Sequence, residues 1–467
     1  MSTRLARSAA VSIIFPGARA MNILYVSHLF LPRYSGGTEV LTFQVAREMQ
    51  RRGHGVEVLA CEDWWGDGEP VSGHDEPYEG IPVHRLRLNT AASPDSVRAQ
   101  YYFDAVEKYL LPRLRARRPD LVHVHHFGHV TTAVATAAYA LEIPVVFTAT
   151  DFWLICPTSQ LSRYDHSLCN GPTNIAKCAK CVASTYRRAQ PYRSLIGAIP
   201  EPLFNLAAHR VAPTLKGMLR AARGVASLVE RAEWNRGVAR RFSRLLVTSR
   251  FMRERLVENG VSAERMEQVS FGIDTAWAAS LVPRRLQSPL RIGFIGAIAP
   301  HKGLHVLVEA FRQLGAGKHA RLEVYGRLDF APPYGDQVRS LAAETSEIEF
   351  RGTFPHQEIG RVLSGLDVLV IPSVWYENTP LVLWMALAAR VPVIVSDMGG
   401  LVEIIRDGEN GLVVPCGDPE ALAAALDHCR RDPELLPRLA RQIAPVKTIQ
   451  SYADELLARY QAALAPA

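Results

Sequence analysis

The sequence predicts an α/β protein made of two parallel-sheet domains, and three observations carry that prediction. The chain has 467 residues, more than a single hydrophobic core of at most about 250–300 residues serves. Apolar runs of strand length alternate with helix-length amphipathic segments, as βαβ units require. The alternation lapses between Asp274 and Pro289 and then restarts, giving two series rather than one long one.

The first series places strands at Ile23–Ser27, Val56–Ala60, Val83–Leu86, Leu121–His125, Val145–Thr148 and Leu245–Thr248, and helices at Thr38–Arg52, Asp95–Arg117 and Val130–Leu141. These strands are short and largely apolar, the pattern of a sheet covered on both faces. The second series has strands at Ile292–Ile295, Leu322–Tyr325, Ile348–Arg351, Val368–Ile371 and Val393–Ser396. Two Rossmann-like domains follow, residues 21–280 and 290–445, joined where Pro283 and Pro289 flank a basic stretch. A last helix, Tyr452–Leu464, lies beyond a break at Pro445, and the segment 446–467 is expected to pack back on the first domain.

Composition narrows the class. With 48% hydrophobic and 21% charged residues the chain reads as soluble and globular, and no run approaches the roughly 20 apolar residues of a membrane-spanning helix. The net charge of +7 comes from widely scattered acids and bases. The arginines around Arg220–Arg244 lack the interleaved aromatics of a nucleic-acid surface, so no nucleic-acid partner is expected. Residues 1–20 combine a basic start, a short apolar run (Ala9 to Phe15) and a small-residue finish, and Met21 opens the first strand pattern. They read as a leader outside the fold, which gives an expected cytoplasmic location, at most peripheral at the inner face of a membrane.

Residues 152–241 hold a helical insertion that breaks the βαβ pattern. Its arginines and apolar faces, such as Leu203–Val211, suit either a solvated insertion or a contact with an acceptor or an anionic membrane surface. Four of the seven cysteines fall in one span of it: Cys156, Cys169, Cys178 and Cys181. The Cys178-Ala-Lys-Cys181 pair has metal-ligand spacing, so a structural zinc is expected there, with a redox pair, an iron–sulfur site or four unrelated reduced thiols as the alternatives. His123, His125 and His126 close a strand near the same cleft, where they suit a substrate contact or a structural role, and are assigned no metal.

The chemistry concentrates between Asp367 and Pro415. A buried strand leads into Trp375-Tyr-Glu377, then Asn378-Thr-Pro-Leu381 opens a helix, and a second strand precedes Gly399-Gly400 and Glu403. In an open parallel sheet, ligands sit beyond the carboxyl ends of strands and against helix N-termini. Asn378 or Thr379 can cap that helix, Pro380 suits its first turn, and its free amides can receive phosphate oxygens. Glu377 beside them can accept hydrogen bonds from sugar hydroxyls.

This segment resembles the donor-binding block of retaining glycosyltransferases of family 4, which have the GT-B fold. The likeness extends to Asn22–Ser27 with Gly36-Gly37-Thr38, to Val247-Thr-Ser-Arg-Phe251 and to Phe294–Gly303, five blocks in order. It implies a nucleotide-diphosphate sugar donor (UDP-, GDP- or ADP-linked), no metal cofactor for catalysis, and a glycan or lipid-linked acceptor. Lys302 would pair with the diphosphate. Gly36 and Gly37 would let backbone approach the donor. Glu377 would hold sugar hydroxyls, the helix start Thr379-Pro380-Leu381 would lie near the phosphates with the Thr379 and Leu381 amides as donors, and the turn ending at Phe354 near the base. Asp151, Glu377 and Lys302 are the residues expected to carry catalysis. A subgroup of the family shares the cysteine-rich loop.

Three positions depart from the family pattern. Met385 stands where a second glutamate commonly reaches the donor ribose, Ala297 replaces an arginine, and Thr150 replaces a histidine before Asp151. The expected function is retaining sugar transfer in surface polysaccharide or glycolipid assembly. A non-catalytic sugar-binding relative and a nucleotide-sugar epimerase are the alternatives on the same fold.

Overall fold

The computed structural model describes residues 19–185, 193–281, 288–315 and 317–465. Most of the leader, part of the insertion and most of the linker (1–18, 186–192 and 282–287) lie outside the described residues.

The first lobe is an eight-stranded sheet in the order β3-β4-β2-β1-β5-β6-β7-β8. Its strands are β1 (Asn22–Ser27), β2 (Gly55–Asp63), β3 (Val71–Asp75), β4 (Val83–Leu88), β5 (Leu121–Val124), β6 (Val145–Ala149), β7 (Arg244–Val247) and β8 (Met266–Gln268). All pairings are parallel except β3 against β4. The second lobe is a six-stranded parallel sheet, ordered β11-β10-β9-β12-β13-β14. It comprises β9 (Leu290–Ile295), β10 (Ala320–Tyr325), β11 (Ile348–Gly352), β12 (Val368–Ile371), β13 (Val393–Ser396) and β14 (Leu412–Val414).

All eleven expected strands are present. The three extra ones, β3, β8 and β14, are sheet edges of three to five residues, where one side is open to solvent and little apolar signature is needed. Two helices start later than expected. The one expected from Asp95 begins at Asp104, because the Asp95 carboxylate accepts from the amides of Val97 and Arg98 and closes a separate turn. The one expected from Val130 begins at Ala133, after left-handed bends at His129 and Thr131 (φ 61° and 62°).

Strand order explains where the chemistry can be. From β1 the chain steps to one side for β2 and later returns to the other side for β5; β9, with β10 and β12, repeats the reversal. Each reversal leaves a crevice at the carboxyl ends of the strands, and the residues just beyond those ends meet at the seam between the lobes. The helix Ile449–Leu464 returns to the first lobe, where the Tyr460 hydroxyl lies 2.6 Å from His123 Nδ1 and 3.2 Å from the Tyr25 hydroxyl. One apolar core joins β1, the helix Gly37–Arg51, the second-lobe helix Leu381–Ala388 and this terminal helix. The lobes are thus packed against each other as well as covalently linked.

Candidate active site

In the second lobe, Glu377 is 4% exposed yet charged. Lys302 Nζ, Ser373 Oγ and Trp375 Nε1 all donate to its Oε1, at 2.7, 2.6 and 2.9 Å. Burial alone would raise this carboxyl, but Lys302 and the other two donors hold it below the usual glutamate range. Lys302 also sits over the Trp375 ring, 5.0 Å from its centroid. The lysine is delivered by a tight turn that ends at Gly303, φ 70°, where a Cβ would run into the Pro372 carbonyl oxygen. Burial, reinforced by the Lys302 charge, pushes the neighbouring His301 imidazole down to about 4. Lys302 is therefore the cation here.

The helix beyond Glu377 starts one residue later than a capped reading expects. It runs Leu381–Ala388 with Pro380 as its N-cap, and no side chain caps it. Asn378 instead accepts from the Ser249 hydroxyl at 2.8 Å and reaches the Ala149 and Thr150 carbonyls, both at 3.4 Å. The buried Thr379 hydroxyl has no partner among the described residues. Among the described residues, the amides of Thr379, Leu381 and Val382 have no acceptor. Buried helix-start donors without acceptors, next to a cation, form an anion-binding arrangement. Gly399 and Gly400 lie against the backbone of Glu377 and Asn378 so closely that a Cβ on either would strike a carbonyl oxygen.

The first-lobe half stands on the ends of β1, β5 and β6, which bring His28, His126 and Asp151 together. His126 Nε2 is 2.7 Å from Asp151 Oδ2, while its Nδ1 accepts from the Gly128 amide at 2.8 Å. That amide fixes the tautomer, so Nε2 carries the proton and donates to the carboxylate. The Trp153 amide, at 2.8 Å, holds Asp151 Oδ1. Burial lowers the His126 pKa, but Asp151 and Glu39 outweigh it and raise it. Glu39 is 3.3 Å from His28 Nε2, and burial lifts its carboxyl to about 7. His28, its ring 4.1 Å from that of His126, is pushed well below the usual range by burial and by repulsion from His126 and His129. His129 stacks on Trp64 at 3.9 Å and falls to about 3, chiefly from burial.

The two halves touch. Phe251 and Tyr376 rings are 4.8 Å apart, and Glu403 accepts from the Arg250 and Phe251 amides at 2.8 and 2.7 Å. A Cβ on Gly37 would lie 3.7 Å from Leu381, which puts the Gly36-Gly37 loop against the start of the second-lobe helix. The expected residues Gly36, Gly37, Asp151, Lys302, Glu377, Asn378, Thr379, Pro380 and Leu381 thus line one seam. Phe354 lies against Tyr325, with ring centroids 5.4 Å apart, and packs on the same apolar core as Leu381. A shallow concavity of about 500 Å³ around Arg98, Tyr139, Trp234 and Arg241 shares none of these residues.

Sequence reasoning left His28, Glu39, Ser373 and Trp375 without roles and gave His126 only a choice between substrate contact and structure. A signal existed: three polar residues within two places of the ends of adjacent strands, and the Ser-x-Trp-x-Glu spacing. His123 and His125 lie in the core, bonded to Tyr460, Thr148 and Thr42. Met385 is packed in the apolar core, 5% exposed.

The zinc expected at Cys156, Cys169, Cys178 and Cys181 finds no support in the geometry. Among the described residues no group of three or more Cys, His, Asp or Glu converges closely enough to hold a metal. The four thiols are neighbours, and burial, with their mutual repulsion, raises Cys178 and lifts Cys181 to about 11. Cys156 is held in the first-lobe core and Cys178 in the small core of the insertion, so packing sets their spacing.

Two parallel-sheet lobes meeting at their switch points, with an anion site on one side, define a GT-B glycosyltransferase architecture. Solved structures with this fold overlay nearly the whole chain. The HepE protein of Anabaena, solved with UDP and glucose, covers 94% of this chain and 97% of its own at 16% identity and a TM-score of 0.59. The sucrose-phosphate synthase of Thermosynechococcus elongatus covers 94% and 98% at 17% identity and 0.63. The chain belongs to glycosyltransferase family 4. That family's model matches residues 35–277, and the model for glycosyl transferases group 1 matches residues 289–432. A putative colanic acid biosynthesis glycosyltransferase of Salmonella typhimurium is 28% identical over 48% of this chain and 57% of its own length. The amylovoran biosynthesis glycosyltransferase of Erwinia amylovora is 30% identical over 39% and 46%. The chain thus spans about half the length of these relatives. A 2-deoxystreptamine N-acetyl-D-glucosaminyltransferase of Streptomyces fradiae matches more fully, 26% identical over 91% of this chain and 88% of its own.

Proposed function

We propose that this chain transfers a sugar from a nucleotide-diphosphate sugar, held by the second lobe, to a glycan or lipid-linked acceptor at the first, with retention of anomeric configuration. The observation that carries the reading is the buried Glu377–Lys302 pair beside unoccupied helix-start amides. A diphosphate leaving group needs fixed positive potential where its charge develops, and Lys302 with the amides of Thr379, Leu381 and Val382 supplies it without reorganisation. Glu377 keeps Oε2 clear of the three donors on Oε1, which suits it to bind hydroxyls of the transferring sugar. Asp151, oriented by His126, faces that sugar from the acceptor side. No single obligatory base is required, because stabilising the departing diphosphate and the cationic sugar provides most of the catalysis; Thr150 is compatible with turnover. The relatives that build colanic acid and amylovoran support a role in surface polysaccharide assembly.

The test is calorimetric titration with UDP, GDP and ADP, for the wild type and Lys302→Ala, followed by NMR of the product's anomeric proton. One nucleotide should bind saturably and lose affinity in the variant. Binding without turnover across acceptors would favour a sugar-binding relative instead. No binding to any nucleotide would overturn the reading.

A further inference from the structure

The helical insertion carries a surface that the fold leaves unexplained. Twelve large apolar side chains are markedly exposed among the described residues, and six of them, Leu195, Leu203, Leu206, Val211, Met218 and Leu219, fall within one run of helices and turns. Met218 is the extreme, at 81%. The helix Glu201–Arg210 shows the logic. Its inner face, Phe204 and Ala208, packs against the helices Ile175–Thr185 and Arg220–Ala239. Its outer face repeats Leu203, Leu206 and Arg210 at spacings of three and four, so an apolar stripe ending in a cation faces outward. The fold gains nothing from that stripe.

Charge surrounds it with one sign. Arg193, Arg210 and Arg220 are exposed and make no ion pair with any described residue. The single acid between residues 193 and 220 is Glu201, 3.9 Å from Lys177 and 3.6 Å from Lys180 of the neighbouring helix. Apolar side chains projecting among unpaired arginines match an anionic lipid surface, where acyl chains receive the first and headgroups the second. A second copy of the chain fits less well, since a two-fold contact would set these arginines against their own images. Among the described residues no helix is long and apolar enough to cross a membrane, so the proposed contact is interfacial.

We propose that the insertion docks this protein onto an anionic membrane surface through Leu203, Leu206, Met218 and Leu219, flanked by Arg210 and Arg220. The same helix array reaches the seam. Arg231 donates to the Trp153 and Cys156 carbonyls, and Asn235 to the Leu154 carbonyl at 2.9 Å, on the turn that follows Asp151. A docked insertion therefore lies beside the acceptor half of the site, where a lipid-linked acceptor would arrive. The docking itself does not depend on the transferase reading and stands or falls separately from it.

The experiment is sedimentation of the full chain with vesicles of phosphatidylcholine alone and of phosphatidylcholine with about one-third phosphatidylglycerol. Binding should require the anionic lipid and weaken as salt rises. Leu203→Ser with Met218→Ser should lower the partition coefficient about tenfold or more, and Arg210→Glu with Arg220→Glu comparably, with nucleotide binding unchanged in both. These side chains are exposed, so the unfolding midpoint should hold, and the charge pair serves as the second test if the apolar pair fails to fold. Failure to bind anionic vesicles, or equal partition of wild type and variants, overturns the proposal. So does a concentration-dependent dimer in light scattering that the same substitutions dissolve, since it assigns the face to a second copy.

Discussion

The two crevices that meet at the seam are equally buried and chemically opposite. At the end of β12 a carboxylate keeps its charge because a lysine and two further donors converge on it. At the ends of β1, β5 and β6, burial drives the groups toward neutrality: His28 and His129 down, Glu39 up, with His126 alone raised by its carboxylate partner. Desolvation penalises any ion, and only a partner within bonding distance offsets it. A crevice with a fixed ion pair suits a charged diphosphate. One built from buried imidazoles, an indole and the His126–Asp151 pair suits a polyol, recognised through hydrogen bonds.

Substitutions that erase this contrast measure it. Lys302→Ala removes the cation bonded to Glu377 and should cost transfer about 10²–10³-fold in steady-state rate. A loss under tenfold would place the diphosphate elsewhere. Glu39 comes next. Its folded pKa of about 7 stands above the ordinary 4.5, so the folded state binds the extra proton and stability declines as pH rises from about 4.5 through 7. Urea unfolding at pH 5 and pH 8 should show wild type losing up to about 3 kcal/mol that Glu39→Gln does not lose. Equal pH slopes would mean that Glu39 is charged in the fold, and the contrast between crevices would shrink.

Gly303→Ala attacks the turn that delivers Lys302 and should lower stability by about 1–3 kcal/mol in chemical denaturation, given φ 70° and the Pro372 carbonyl. The smallest effect belongs to His126. His126→Ala should reduce kcat about tenfold with little change in donor KM, and His126→Gln, which can still donate to Asp151, should recover most of it. If glutamine and alanine behave alike, His126 only fills space.

Much of this architecture can be read from the chain. Parallel strands buried on both faces, such as Val368–Ile371 and Val145–Ala149, leave long apolar runs, so both sheets and their interior strands were recognisable. Glu377 and Lys302 stand out as candidates for a related reason, because strand ends and helix starts are local features, and the fold pairs them. The cysteines are ambiguous for the opposite reason: Cys178 and Cys181 stand three apart on a helix, a spacing that serves packing as well as it serves a metal. The cap failed similarly. Asn378 is a good local capping residue, but Ser249 and the end of β6 offer it better partners across the seam.

Periodicity and punctuation therefore establish the two lobes, the order of their strands along the chain and the candidate carboxylate beyond β12, since each depends on residues a few places apart. Which residues share a crevice depends on strand order in space, and sequence spacing does not record it. His28, His126 and Asp151 are scattered over more than a hundred positions of the chain and meet because β1, β5 and β6 lie side by side. Their protonation follows from the same packing, because burial and one partner within about 3 Å outweigh anything intrinsic to a histidine or a glutamate.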